Sequence, residues 1–308
     1  MRKIRRARLG LPDLPVVNAV RRPEWLQKKL SPGAHADMEK MLVELQLNTV
    51  CQQALCPNIT ECFRQKQATF LILGAACTRL CAFCNVAKTV PLPADPGEPA
   101  RVAAAVKRLG LAHVVVTSPT RDDLPDGGAA AFAATVTAIR RQSPGTRIEL
   151  LVPDFQGRPG SIAEVVDAAP DILGHNVETV PRLYEIRKGA VYARSLGVLA
   201  AAHARAPHLP TKSGLMLGMG ETRDEVRAVL ADLRGVGCAF LSLGQYLAPS
   251  RRHRPVSAFI PPETFDSLKE EALRLGFAHV ESGPYVRSSY HAADYGDVPS
   301  NPAGSPGI

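Results

Sequence analysis

Ala68-Thr-Phe-Leu-Ile-Leu-Gly74 runs through Ala75 and Ala76 into Cys77-Thr-Arg-Leu-Cys81-Ala-Phe-Cys84, and this stretch decides the fold. An apolar run with β-branched and aromatic members, closed by a glycine, predicts a strand buried on both faces. Runs of the same kind recur at 114–117, 148–152, 172–176, 213–217 and 240–243. Between them, helix-period segments cover 97–109, 128–142, 192–205, 222–235 and 263–275. Short apolar strands alternating with such helices predict a parallel sheet of βα units, in number and size a partial TIM-type (β/α)6 barrel with N-terminal and C-terminal extensions. The expected division is 1–66 as an N-terminal extension, 67–280 as the barrel and 281–308 as a C-terminal segment. Residues 1–35 read as a basic arm on the surface, 37–47 as a short helix, and 51–62, with Pro57 and Asn58, as an irregular loop.

A barrel gathers its functional groups at the C-terminal ends of its strands. Here those ends carry the cysteine loop, Thr117-Ser118 with Arg121-Asp122-Asp123, Asp154, Asn176 with Glu178, Gly218 to Glu221, and Gln245-Tyr246. Six of the seven cysteines form two triplets: Cys51, Cys56 and Cys62, then Cys77, Cys81 and Cys84. Three thiolates on one short loop can hold three corners of an iron–sulfur cubane and leave the fourth iron open. A structural zinc ion would want four closed ligands, and an electron-carrier cluster usually has four cysteines. Both triplets are therefore one ligand short. Cys238 reads as a buried small hydrophobe, and His175 reads equally as a core histidine or a cofactor contact.

The chain has 308 residues, with 45% hydrophobic and 21% charged residues, as in a packed globular protein. No stretch approaches the ~18 consecutive apolar residues of a membrane span, and no secretory signal pattern is present. Clustered thiols argue for a reducing, cytoplasmic setting. The formal net charge of +8 favours acidic partners; at 5% aromatic and without a recognition-helix motif, the chain is not expected to bind nucleic acid.

The C-x3-C-x2-C loop after the first strand is similar to the signature of radical S-adenosylmethionine enzymes, and the chain more narrowly resembles lipoyl synthases. Cys51-Gln-Gln-Ala-Leu-Cys56-Pro-Asn-Ile-Thr-Glu-Cys62 resembles that family's auxiliary-cluster motif. The blocks Arg121 to Gly128, His175 to Arg182, Lys212 to Gly218, Gly244 to Leu247 and Gly283 to Ala292 follow in order, so the likeness runs from about Pro23 to Ala292. The resemblance implies two 4Fe–4S clusters and S-adenosylmethionine as cofactors. It implies that Cys77, Cys81 and Cys84 hold the cluster that binds the cofactor. Cys51, Cys56 and Cys62 would hold the auxiliary cluster, with its fourth iron on a serine of Arg287-Ser-Ser-Tyr290. That ligand is assigned to Ser289, with Ser288 as the alternative.

The implied reaction inserts two sulfurs, at C6 and C8, into a protein-bound octanoyl-lysine, the auxiliary cluster being the sulfur donor and Ser289 taking part. The implied partners are octanoylated carrier domains (2-oxoacid dehydrogenase acyltransferase subunits, the glycine-cleavage H protein) and an electron donor, with the enzyme a monomer. Asn176 and Glu178 are candidates for the ribose or amino group of the cofactor and Arg194 for its carboxylate. Gln52-Gln53, Asn85 and Arg187-Lys-Gly-Ala190 depart from the family pattern without removing a ligand. A biotin-synthase-like enzyme would lack the first triplet and the terminal serine motif.

Overall fold

A computed structural model of the protein describes residues 22–28 and 36–296. Most of the basic arm expected over 1–35, and the chain beyond 296, lie outside the described residues. In order, the elements are α1 (Ala36–Glu44), β1 (Asn48–Thr49), α2 (Val50–Gln53), α3 (Ile59–Arg64), β2 (Thr69–Leu71), α4 (Glu98–Leu109), β3 (His113–Thr117), α5 (Ala129–Gln142), β4 (Arg147–Leu151), α6 (Pro159–Asp167), β5 (Ile172–Gly174), α7 (Tyr192–Arg205), β6 (Thr211–Leu217), α8 (Arg223–Gly235), β7 (Phe240–Gln245), α9 (Pro262–Arg274) and β8 (His279–Gly283).

The eight strands form one sheet in sequence order, β1 antiparallel to β2 and all later neighbours parallel. Among the described residues β1 and β8 do not pair with each other, so the barrel is partial, as expected. Several elements go beyond the sequence reading. β8 is a seventh parallel strand, and it straddles the expected boundary at 280. The stretch 51–62 is not one irregular loop: α2 and α3 frame it, and the Thr49 side chain caps α2 by accepting from Gln52 N–H.

Alternation along the strands separates the helix-packed face from the barrel interior. Ile148 and Leu150 of β4 join the apolar core under the helices. Between them Glu149 points inward, because it meets Lys212 of β6 at 3.0 Å, and side chains of non-adjacent strands meet only inside the barrel. Both groups are buried, and Lys212 Nζ also lies 3.6 Å from the ring centroid of Tyr295. The C-terminal turn at Ala292–Gly296 thus brings an aromatic side chain into the polar barrel floor.

Before that turn, residues 284–291 run along the inner face as a strap. Two glycines make room for it. A Cβ on Gly244 would overlap the Val286 carbonyl oxygen, and one on Gly214 would lie 3.1 Å from Ser288 Oγ. Gly244→Ala should therefore cost about 1–3 kcal/mol and expose residues 284–296 to protease. Gly197→Ala in α7, where a Cβ meets nothing within 4 Å, should instead stabilise by about 0.5–1 kcal/mol. Thermal unfolding with limited proteolysis checks both.

Candidate iron–sulfur and cofactor site

The second cysteine loop leaves β2 through Gly74, whose φ of +82° suits a residue without a side chain. Backbone bonds hold the loop on several sides. Cys77 N donates to Ala87 O (2.9 Å), Thr78 N to Thr120 O (3.0 Å), Ala82 N to Ile186 O (2.8 Å) and Arg254 N to Ala82 O (2.9 Å). Arg79, inside the motif, is almost fully buried. It donates to both oxygens of Asp122 (2.8 and 3.0 Å) and of Asp154 (2.9 and 2.5 Å), beyond the ends of β3 and β4. Burial alone would raise the Asp154 carboxyl, but the Arg79 bonds outweigh it and hold the group down at about 2. Most of what fixes the loop leaves its sulfurs aside, although Cys77 Sγ accepts from Arg79 N at 3.4 Å and Cys84 from the Val86 backbone.

The first triplet converges from α2, α3 and the turn between them. Burial, then repulsion from Cys56, pushes the Cys62 thiol up to about 12; burial also takes Cys51 to about 11, although bonds from Thr69 oppose it. Thr69 also donates from Oγ1 to Ser289 Oγ at 2.6 Å, across 220 positions of sequence. Ser289 therefore stands beside this triplet, one hydroxyl away from Cys51. Ser288 faces the other way, accepting from Asn176 Nδ2 at 2.6 Å. Tyr290 O–H donates to Glu61 (3.2 Å), and Asn58 Nδ2 donates to Tyr285 O (2.7 Å), so the strap is fastened on both sides of the serines. Asn85, one of the departures from the family pattern, ties the two cysteine segments together by donating to Gln53 O at 2.8 Å.

Asn176 and Glu178 stand together past the end of β5, with Asn176 Nδ2 3.2 Å from Glu178 Oε1. Burial raises the Glu178 carboxyl against the pull of Arg187 and Asn176. Arg194 lies on the Arg79 side: it donates to Asp154 at 2.8 Å and to the Gly189 carbonyl, apart from the Asn176–Glu178 pair. His175 is buried and held down at about 4 by burial and Arg187; its Nδ1 pairs with Val152 O and its Nε2 has no partner.

Besides the Arg79 clamp, the sequence reading missed two roles. Arg187 is a buried guanidinium whose charge reaches Cys81, Glu178 and His175 and whose Nε is unpartnered. Thr69 read only as a strand residue. The place of Arg187 in the 187–190 stretch that departs from the family pattern was its available signal; for Thr69 the sequence carried none.

Iron fits this donor set. All seven cysteines are free thiols, and burial pushes Cys51, Cys62, Cys81 and Cys84 up, so these thiolates are unfavourable without a cation. Bound metal takes the place of the protons and removes that penalty. Three soft sulfurs at each site, with no fourth cysteine or histidine beside them in the sequence motif, suit iron–sulfur clusters better than closed zinc sites.

The radical SAM superfamily profile matches residues 71–233. The chain is 67% identical to a lipoyl synthase of Geobacter metallireducens over 90% of this chain and 98% of that one. It is 69% identical to a lipoyl synthase of Geotalea uraniireducens, with the same coverage. Among solved structures it is similar to methylornithine synthase (TM-score 0.52, 13% identity, 75% of this chain and 77% of that one) and to an FeFe-hydrogenase maturase (TM-score 0.54, 12% identity, 71% and 59%). At such identities the structures speak for the fold alone.

Asp154 also gives a pH prediction. Its folded-state value lies below the ordinary 3.8, so its contribution is complete above about 4 and is lost as pH falls towards 2. Asp154→Asn should cost about 3–5 kcal/mol at neutral pH, because Arg79 keeps a buried charge without this partner. That difference should shrink below pH 4, as measured by unfolding of the metal-free chain across the range.

Proposed function

The chain belongs to the lipoyl synthase family of the radical SAM superfamily, and from that footing we propose how its own residues divide the work. The reaction is the insertion of two sulfur atoms, at C6 and C8, into a protein-bound octanoyl-lysine, and S-adenosylmethionine and 4Fe–4S clusters are its cofactors. When bound, these groups supply the electron, the 5′-deoxyadenosyl radical and the sulfur.

In this reading Cys77, Cys81 and Cys84 hold three irons of one cluster, on a loop that Arg79 clamps to Asp122 and Asp154. With three thiolates and no fourth protein ligand, this loop would leave one iron free to take the cofactor. Asn176 and Glu178 orient the cofactor's ribose or amino group, and Arg194 serves its carboxylate, with buried Arg187 adding positive charge beside Cys81. Cys51, Cys56, Cys62 and Ser289 hold the auxiliary cluster. The bond from Thr69 to Ser289 carries this assignment, since it sets Ser289 and not Ser288 beside the first triplet. A hard oxygen is a weaker partner for iron than a thiolate, which suits a cluster that gives up sulfur.

Residues 1–66 thus supply three auxiliary ligands, 67–280 the radical chemistry, and 281–308 the closing serine. No helix among the described residues is long and apolar enough to cross a membrane. The reading includes a cytoplasmic monomer that draws on an electron donor and acts on acyltransferase-subunit and H-protein carriers.

The reconstituted chain, given octanoylated carrier, S-adenosylmethionine and a reductant, should add two sulfurs by mass. Ser289→Ala should keep 5′-deoxyadenosine release and lose sulfur transfer, whereas Ser288→Ala should keep transfer in part. Thr69→Val should weaken transfer and Thr69→Ser restore it. Full transfer by Ser289→Ala would remove the serine from the ligand set.

A further inference from the structure

Some exposed arginines are matched by carboxylates: Arg182 by Glu225, Arg205 by Asp167, Arg227 by Glu271. Around the second cysteine loop, four cations without such a match lie close together. Lys88 follows the loop, and its charge reaches Cys81 and Cys84. Lys188 lies between Ile186, whose carbonyl accepts from Ala82 N, and Gly189, which packs on Arg79. Arg251 and Arg252 sit in the turn closed by His253 N to Ser250 O, and the bond from Arg254 N to Ala82 O holds that turn against the same loop. All four cations are exposed, and among the described residues none makes an ion pair. Glu185 is the one exposed carboxylate of the adjoining 182–190 segment. Leu80, at the tip of the loop, is 56% exposed.

We propose that this rim of Lys88, Lys188, Arg251 and Arg252 is the docking surface for an acidic protein domain, the carrier that presents the octanoyl-lysine. The proposal rests on the reaction assigned above. An acyl chain tethered to a folded domain can reach the cysteine loop only end-on, so the surface around the tether must come to rest on this rim. Unmatched cations there attract a domain of opposite charge and speed its encounter, while a rim charge adds little to the chemistry itself. Nucleic acid fits less well, because none of these positions offers an aromatic side chain on which a base could stack.

The test uses the reconstituted holoenzyme with Arg251→Glu and Arg252→Glu together, and separately with both changed to Gln. Two substrates are compared: an octanoylated carrier domain of net negative charge, and a short uncharged octanoyl-lysyl peptide. The double Glu variant should raise KM for the carrier about tenfold or more at low salt, with a smaller rise for the Gln variant. Both effects should shrink as salt screens the rim, and the rate on the peptide should stay at the parent value. An unchanged carrier KM overturns the proposal, and so does equal loss on both substrates, which would mean that the turn only supports the cysteine loop. Loss of duplex DNA binding with carrier KM unchanged would assign the cations to nucleic acid instead. Failure of the parent chain to add sulfur to either substrate would contradict the reaction itself, whatever the rim does.

Discussion

The hydrogen bond from Thr69 to Ser289 is the contact on which the rest of the site depends. It joins the first barrel strand to a strap that enters only after the last one, 220 residues later. Closing so long a loop costs conformational entropy, and a single neutral hydrogen bond returns only about 1 kcal/mol. The strap is therefore fastened repeatedly: Tyr285 to Asn58, Ser288 to Asn176, Tyr290 to Glu61, and Tyr295 in the barrel floor. It runs on the inner face of an incomplete barrel, where Gly214 and Gly244 leave room for its backbone. The incomplete sheet and the strap inside it are thus two sides of one arrangement.

Electrostatics divides the interior into a floor and a mouth. In the floor, burial is answered by pairing, with Lys212 and His113 holding the Glu149 carboxyl below its ordinary value. At the mouth, Arg79 neutralises two strand-end carboxylates and locks the loop, while burial leaves the Cys81 and Cys84 thiols with raised proton affinity. A rigid frame around unpaired thiols is the preorganisation that a metal site needs. The unmatched cations outside it belong to the next shell outward, where a partner rather than a fold supplies the counter-charge.

Much of this was legible in the sequence, and for identifiable reasons. The six apolar runs were found because buried parallel strands read as continuous hydrophobic stretches. β8 escaped because His279-Val-Glu-Ser-Gly283 buries only Val280. α6 begins Pro159-Gly160, which reads as a turn although proline suits the first turn of a helix. The short helices around Cys51 and Cys62 were masked by Pro57 and Asn58. Metal-ligand spacing is local and therefore readable. The choice between two adjacent serines is not, because it depends on which way each faces in a segment held by residues more than 100 positions away. Arg79 was hidden likewise, since both its carboxylates come from other strand ends.

The central claim is that Ser289 completes the first cluster. It is tested most directly by Mössbauer spectroscopy of the iron-reconstituted chain in which Cys77, Cys81 and Cys84 are changed to Ala, leaving the first site alone. The account predicts one four-iron cluster with one iron distinct from the other three, and a shifted signal or loss of that one iron on Ser289→Ala but not on Ser288→Ala. Spectra unchanged by Ser289→Ala would contradict it.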